Sequence, residues 1–312
     1  MSEQEERKTE LERLIDEFLK HIEYERGCAQ STVLSYRIDL QQLVDSLKKD
    51  YPEILDHPDK ITAMDLRGFL AGFRRGGYAI GSIHRKISSA RSFFSHLYML
   101  EIVDSNPARA LTLPKLDKPL PSFLDLAQTE KALEIPDTST PLGTRDRAIL
   151  EVLYNTGMRA SELISMKISD LDLESKEIKI MGKGSKERVV LMGFHAVNSI
   201  KEYLEVRDDL ATSESGDSLW LGQSGKPLSR SSLYKIVHKY LKQATDGKAS
   251  PHVLRHTFAT HLMDRGADLL AVKELLGHES LSTTQVYTHT SIEHLKKEYK
   301  KAHPKSRDKE AE

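Results

Sequence analysis

The sequence predicts a mainly helical protein of two domains, with one small antiparallel β-sheet in the second domain. Its 312 residues are about twice the ~150 residues of a typical domain. Over most of the chain, apolar residues recur at a spacing of three and four, which is typical of helices with one buried face. Two short β-branched and apolar segments on either side of Gly182–Ser185 interrupt this pattern and predict a β-hairpin.

The first hundred residues predict four helices that are sufficient for a small core. An apolar stripe over Leu11–Ile22 marks the first helix, and Ser31 is the expected N-cap of the second. Thr62 and Asp65, three residues apart, match a capping box and predict the start of the third helix. The fourth helix is expected after the break at Gly76–Gly77.

A stretch of prolines predicts the boundary between the two domains. Asn106-Pro107 ends the helical block, and Pro114, Pro119 and Pro121 indicate an extended linker. We therefore expect a helical domain over residues 1–108, a linker over 109–124 and a second domain over 125–312. Helical patterns of the second domain are expected near Gln128, near Thr144 with an end at Gly157, and over 197–204, 233–241 and 252–263.

Composition excludes several classes of protein. No run of about 18 apolar residues occurs, which excludes a membrane-spanning helix. The N-terminal sequence MSEQEERKTE lacks the apolar segment of a signal peptide. Cys28 is the only cysteine, which excludes an internal disulfide and a cysteine-based zinc site. These features predict a protein of the cytoplasm.

The charge is unevenly distributed along the chain. A net charge of −1 argues against a nucleic-acid partner, but residues 66–100 contain no Asp or Glu. Basic residues alternate there with aromatic ones, which is expected either of a DNA-binding face or of a solvated helix face. The candidate DNA-binding residues are Arg67, Arg74, Arg75, Arg85, Lys86 and Arg91.

Five short motifs of the second domain carry residues suited to chemistry. They are TGMR at 156–159, GKGSK at 182–186, HVLR at 252–255, Gly277-His278, and Tyr287 within TTQVYTH. Taken singly, each has a plain structural explanation. The glycine-rich segment is not a Walker A loop, because Glu177 and Gly184 stand where Gly and Ser or Thr are required. His252, His256 and His261 lack the glutamate of an H-E-x-x-H zinc motif.

Taken together, the motifs predict a cationic site for a phosphate group. Arg159 and Arg255 can each present a planar guanidinium to non-bridging oxygens. His252 lies three residues before Arg255, so that both share one face if the segment is helical. Tyr287 has an ordinary pKa of about 10 and needs a base or a positive field to act as a nucleophile. Lys183 can donate a proton to a leaving oxygen. Fixed cations can stabilise the transferring phosphoryl group without a metal.

In this order and spacing, the motifs from TGMR to TTQVYTH resemble those of the tyrosine site-specific recombinases. The resemblance is closest to the XerC/XerD branch, which resolves chromosome dimers in bacteria, and it covers nearly the whole chain. It implies a helical core-binding domain followed by a catalytic domain, closed as a clamp around DNA. It also implies a nucleophile, Tyr287, that forms a 3′-phosphotyrosyl intermediate, and a set of further catalytic residues comprising Arg159, Lys183, His252, Arg255 and His278.

The resemblance implies partners as well. The expected substrate is a double-stranded DNA recombination site, bound by a homo- or hetero-tetramer with a paralogous recombinase on two sites. A septal DNA translocase is a further candidate partner, and no cofactor or metal is expected. The family exchanges its last helix between protomers, although an amphipathic helix such as 295–299 can equally pack on its own domain.

Three alternatives remain open from the sequence. A phage or transposon integrase and a type IB topoisomerase use the same chemistry, but a topoisomerase relaxes supercoils as a monomer without pairing two sites. A non-catalytic DNA-binding protein of the same fold is the third, and it would be expected to have lost Tyr287 or an arginine. The tail favours a XerC-like over a XerD-like role.

Overall fold

Amphipathic helices pack into separate cores for the two units into which the chain divides, Met1–Lys118 and Pro119–Glu312. The computed structural model describes residues 8–26, 28, 30–112, 123–181, 187–277 and 289–306. A mainly helical fold with a small antiparallel sheet, as the sequence predicts, is confirmed. None of the described helices is both long and apolar enough to cross a membrane.

Unit 1 is built from helices that each bury one face. The predicted capping box is present, since the Thr62 hydroxyl accepts hydrogen bonds from the first turn and Asp65 accepts one from the Thr62 N–H at 2.8 Å. The second helix already begins at Gln30, so the prediction of Ser31 as its N-cap is wrong. The described helices are α1 Glu10–Lys20, which continues as a π-helical turn His21–Glu25, α2 Gln30–Asp50, α3 Ala63–Arg75 and α4 Ile80–Met99.

The core of unit 1 extends beyond Asn106-Pro107. A short 3₁₀ turn, Pro107–Ala110, folds back so that Ala108 and Leu111 are buried in the same core as the four helices. Arg91 of α4 holds this turn, because its Nε donates to the Ala108 carbonyl at 3.1 Å and its Nη2 to the Leu111 carbonyl at 2.6 Å. Most of the predicted linker, 113–122, lies outside the described residues.

Unit 2 combines helices with a three-stranded antiparallel sheet of order β1-β2-β3. The helices predicted near Gln128 and Thr144 begin slightly earlier, at Leu126 and Pro141. The described elements are α5 Leu126–Glu134, α6 Pro141–Thr156, α7 Ala160–Ile164, β1 Leu171–Asp172, β2 Glu177–Met181, β3 Glu187–Leu191, α8 Phe194–Val206, α9 Arg230–Ala244, α10 Pro251–Asp264, α11 Leu269–Leu276 and α12 His289–Ala302.

The predicted hairpin is confirmed in its strands. β2 and β3 pair antiparallel with Ile178 opposite Val190, and both of these side chains are buried. Val189, which precedes Val190 on β3, is exposed, as the alternation of a half-buried strand requires. The turn at 182–186 lies outside the described residues.

The end of α6 brings two parts of the second unit together. α6 ends at Gly157, as predicted, with a positive φ of 59° that favours glycine. A Cβ at this position would lie 2.4 Å from the ring of Phe258 in α10. The missing side chain therefore allows α10 to pack directly against the chain that leads from α6 into α7.

The last helix packs on its own unit. Leu295, Tyr299 and Ala302 of α12 are buried in one cluster with Phe258 of α10 and Leu276 of α11. This contact completes an apolar core and places α12 alongside α11.

Candidate active site

Arg159 lies immediately before α7 and is held by one carboxylate. Its backbone N–H donates to Glu162 Oε2 at 2.6 Å, and its Nη1 donates to Glu162 Oε1 at 2.9 Å. Its Nη2 donates to the Gly277 carbonyl at 2.9 Å. The side chain nevertheless remains 41% exposed, so part of the guanidinium faces outward and is available to a ligand.

Arg255 lies on α10 and is held by two backbone carbonyls. Its Nη1 donates to Gly157 at 2.6 Å and its Nη2 to Leu276 at 2.8 Å. Burial, reinforced by the nearby charge of Arg159, lowers the pKa of this guanidinium to about 10. The group is therefore still protonated at neutral pH. The structure thus brings together the two arginines that the sequence predicts for one phosphate.

The C-terminal end of α11 is where three arginines meet. The last carbonyls of a helix lack partners within the helix and carry partial negative charge. Here three successive carbonyls, of residues 275, 276 and 277, each accept a hydrogen bond from a different arginine. The donors are Arg188 to Leu275 at 2.9 Å, Arg255 to Leu276 and Arg159 to Gly277. We call these three side chains the arginine cluster, and the chain continues from it directly into His278.

Sequence reasoning missed two members of this site, Glu162 and Arg188. Glu162 is buried, with 5% of its surface exposed, and accepts hydrogen bonds from both Arg159 and Arg188. The spacing of Glu162 three residues after Arg159, at the start of a helix, was a usable signal. Arg188 offered none, because its contacts cross from β3 to α7 and α11 and are distant in sequence.

His252 lies in the first turn of α10, so the predicted helix over His252 and Arg255 is confirmed. Its ring is exposed, and its Nε2 lies 3.2 Å from the Tyr234 hydroxyl of α9. An exposed imidazole with one hydroxyl neighbour can exchange a proton with a bound substrate or with solvent.

Three predicted catalytic residues, Lys183, His278 and Tyr287, lie outside the described residues, as does Lys186.

The histidines of α10 do not share one environment. His261 is buried, with its Nδ1 2.9 Å from the Tyr154 hydroxyl, whereas His256 contacts the ring of Phe123. Within the described ranges, no group of three or more His, Cys, Asp or Glu side chains could hold a metal ion.

The six residues of unit 1 that the sequence predicts to bind DNA differ in their exposure and in their contacts within the unit. Arg67, Arg74 and Arg75 of α3 are exposed. Lys86 is instead buried, with 3% exposed; its Nζ donates to Asp39 Oδ1 at 3.0 Å and to the Gln42 side chain, and lies over the Phe73 ring. Among the remaining residues predicted to bind DNA, Arg85 is paired with Asp39 but 42% exposed, and Arg91 holds the 3₁₀ turn.

Comparisons with known proteins match both units of the chain to one family. Residues 122–294 match the phage integrase family, and residues 15–99 match the N-terminal SAM-like domain of phage integrases. Tyrosine recombinase XerC of Pelotomaculum thermopropionicum is 39% identical over 304 residues, covering 94% of this chain and 98% of the relative. Tyrosine recombinase XerD of Listeria innocua is 40% identical over 296 residues, covering 94% and 99%.

Among solved structures, the XerH site-specific recombinase bound to its difH substrate before cleavage is 26% identical to this chain. The match covers 93% of this chain and 96% of that one, with a TM-score of 0.65. The similarity to XerC and XerD relatives extends over almost the full length of both partners. The chain therefore belongs to the phage integrase family and is a tyrosine recombinase, an enzyme that cleaves and rejoins DNA.

Proposed function

We propose that this tyrosine recombinase exchanges strands between two copies of a specific DNA site and thereby resolves chromosome dimers before cell division, as a XerC- or XerD-like enzyme. The similarity to relatives named XerC and XerD supports this role. The observation that carries the proposed chemistry is the arginine cluster at the end of α11, where Arg159 and Arg255 bind the neighbouring carbonyls of Gly277 and Leu276.

The proposed reaction begins with attack of the Tyr287 hydroxyl oxygen on the scissile phosphorus. The tyrosyl proton passes to His252, and the bond from phosphorus to the 5′-oxygen breaks. Lys183 gives the departing 5′-oxygen a proton, which leaves a 3′-phosphotyrosyl bond and a free 5′-hydroxyl. The 5′-hydroxyl of the partner duplex then reverses these steps. Because one phosphoester replaces another in each step, no nucleotide cofactor is required.

Arg159, Arg255 and His278 are proposed to bind the non-bridging oxygens. Negative charge grows on these oxygens in the transition state, and fixed guanidinium groups stabilise it without reorganisation. Both arginines are held in place by backbone carbonyls before any ligand arrives. This preorganisation makes them suitable for stabilising a transition state.

Unit 1 is proposed to contact the DNA backbone through the exposed Arg67, Arg74 and Arg75. Lys86 and Arg91 are left out of this proposal, because their donors are used within the unit. The DNA substrate is supported by XerH, whose solved structure is bound to its difH substrate. Assembly of several protomers on the DNA is part of this proposal. Exchange of α12 between protomers, tetramer formation with a paralogous recombinase and activation by a septal DNA translocase remain parts of this proposal.

Covalent trapping tests the proposed function. A duplex selected from random-sequence DNA by binding is nicked near its centre, so that the cleaved strand diffuses away and religation is prevented. We expect an adduct on Tyr287, formed equally well in excess EDTA. Tyr287→Phe should bind the duplex normally but form no adduct, because only the nucleophilic oxygen is lost. An adduct on another residue such as Tyr299 would refute the assignment.

A recombination assay separates this role from the rival ones. A plasmid carrying two copies of the selected site should be resolved into two circles. Relaxation of a plasmid without any site would instead indicate a type IB topoisomerase, and binding without an adduct would indicate a non-catalytic DNA-binding protein.

A further inference from the structure

Arg188 connects three parts of the candidate active site without being one of its predicted residues. From β3, its Nη1 donates to the Leu275 carbonyl at 2.9 Å and its Nη2 donates to Glu162 Oε2 at 3.1 Å. Only 14% of its side chain is exposed, against 41% for Arg159. It is therefore less accessible to a DNA phosphate than Arg159 is.

The burial of Arg188 is not explained by stability alone. Its Nε is buried and has no hydrogen-bond partner among the residues that the structure describes. An unsatisfied buried donor is costly, and apolar side chains of similar volume often replace buried ion pairs without loss of stability. What a guanidinium supplies and an apolar side chain lacks is two hydrogen bonds in a fixed geometry.

These two hydrogen bonds determine where Arg159 lies. Glu162 Oε2 accepts from both the Arg159 backbone and Arg188, while Oε1 accepts from the Arg159 side chain. A displacement of Arg188 would therefore rotate the carboxylate that holds Arg159. The second bond, to Leu275, fixes the helix end whose next carbonyls bind Arg255 and Arg159. A Cβ at Gly277 would lie 2.6 Å from Arg188 Nη1, so the helix end closes directly over this guanidinium.

We propose that Arg188 is a positioning residue of the recombination reaction, which fixes Arg159 through Glu162 and holds the end of α11 without itself binding the phosphate. This inference depends on the proposed role of Arg159 as a phosphate ligand. It assigns to Arg188 an effect on the rate of cleavage and none on DNA affinity.

The test compares two substrates that differ in charge at the scissile position. One is the normal phosphodiester, and in the other a methyl group replaces a non-bridging oxygen, which removes one negative charge from the transition state. On the phosphodiester, Arg188→Met should bind DNA with unchanged Kd but cleave about 100-fold more slowly in a single turnover, as expected of a displacement of about 1 Å. On the neutral methylphosphonate this defect should nearly disappear, because less charge needs stabilisation. Arg159→Ala should likewise cleave the phosphodiester much more slowly than wild type and show a much smaller defect on the methylphosphonate.

Three further variants test whether the role of Arg188 is merely structural. Arg207→Met removes another buried arginine of unit 2 that bonds two carbonyls, those of Ser218 and Leu219, and should cleave both substrates like wild type. In a Glu162→Gln background, Arg188→Met should add clearly less than the loss it causes in the wild-type background, because the contact with Glu162 is already weakened and mainly the bond to the Leu275 carbonyl remains to be lost. If Arg188→Met does not fold, Arg188→Lys can replace it, because it keeps the charge but not the planar pair of donor nitrogens. Its cleavage rate should fall less than that of Arg188→Met, with the same dependence on the substrate.

The outcomes separate this inference from the function on which it rests. An equal defect of Arg188→Met on both substrates, or a full additional loss in the Glu162→Gln background, overturns the positioning role. Wild-type cleavage by Arg188→Met while Arg159→Ala is defective overturns this inference alone. Wild-type cleavage of the phosphodiester by Arg159→Ala would instead refute the proposed phosphate ligand.

Discussion

At the scale of single residues, the two proposed phosphate ligands have more donors than their internal contacts use. A guanidinium carries five N–H donors, and Arg255 uses one on Gly157 and one on Leu276. Donors therefore remain for a phosphate oxygen without loss of the carbonyl contacts. A lysine at position 255 would have three donors on one nitrogen and would lack the planar pair of nitrogens that bind the Gly157 and Leu276 carbonyls.

The lowered pKa of Arg255 predicts that anions stabilise the folded protein. Burial and the charge of Arg159 disfavour its protonated form and lower its pKa to about 10. Because the group is still charged at neutral pH, a bound anion offsets the free-energy cost of keeping that charge buried. Sulfate should raise the thermal unfolding midpoint relative to chloride at equal ionic strength. The gain should approach about 2.7 kcal/mol at one hundred times Kd. Arg255→Met should show a clearly smaller rise, whereas an equal rise in both proteins would indicate a general salt effect.

A sulfur-bridged substrate tests the proposed general acid. The departing 5′-oxygen is a strongly basic alkoxide, whereas a thiolate in its place has a conjugate acid with a pKa of roughly 8.5 and needs little help. Lys183→Ala should therefore cleave the normal phosphodiester very slowly but the sulfur-bridged one nearly as fast as wild type. Arg255→Ala should remain slow on both, because the non-bridging oxygens are unchanged. Rescue of Lys186→Ala instead would assign the acid to the other lysine of the hairpin.

At the scale of elements, α12 is held in place by His303, the residue that follows it, whose ring packs against other aromatic rings. His303 is buried and stacks on Tyr299, with ring centroids 4.9 Å apart. Its Nδ1 accepts from the Lys305 backbone N–H at 3.1 Å, so its Nε2 carries the proton and faces the Tyr154 carbonyl at 3.4 Å. Lys305 in turn pairs with the buried Glu151 at 2.6 Å. Since these contacts complete the core, deleting α12 would unfold part of unit 2 as well as abolish any exchange.

The buried His303 predicts that α12 is released at acidic pH. Burial, together with the charges of His261, Lys305 and Arg265, lowers its pKa to about 3. The ordinary pKa of about 6.5 returns on unfolding, so this stability is complete above pH ~6.5 and is lost progressively as the pH falls toward 3. The protection factors of the α12 amides, which correct the exchange rates for the intrinsic pH dependence of exchange, should therefore fall between pH 7 and 5. His303→Phe should reduce this fall, and an unchanged profile of protection against pH would assign it to other groups.

The sequence was sufficient for elements whose signals are local. The Thr62 and Asp65 capping box, the end of α6 at Gly157 and the paired strands of the hairpin were all predicted from neighbouring residues. β1 was not, because two residues cannot establish an alternation. The same distinction applies to the site. Arg159, His252 and Arg255 belong to sequence motifs, whereas Arg188 acquires its place only when β3, α7 and α11 pack together.

At the scale of the whole molecule, a net charge of −1 and a DNA substrate are compatible because the cations are concentrated locally. In unit 2 the arginine cluster surrounds one helix end, and in unit 1 the exposed arginines lie along α3. Lys86 shows that a basic residue within such a stretch can serve the fold instead, since its charge is matched by the buried Asp39. A count of cations in the sequence therefore includes residues whose charge is used within the fold.

The salt dependence of binding distinguishes the two kinds of cation. Each phosphate contact contributes about −0.9 to the slope of log K against log salt concentration, because binding releases counterions. Replacing Arg74 and Arg75 together by Gln should flatten this slope by up to about 1.8, with little change in the unfolding midpoint. Lys86→Met should leave the slope unchanged but lower the midpoint, because it removes one of the cations that neutralise the buried Asp39. Fluorescence anisotropy on a labelled duplex at several salt concentrations measures both slopes. A slope flattened by Lys86→Met as much as by the α3 variant would mean that Lys86 leaves its pair with Asp39 to bind DNA.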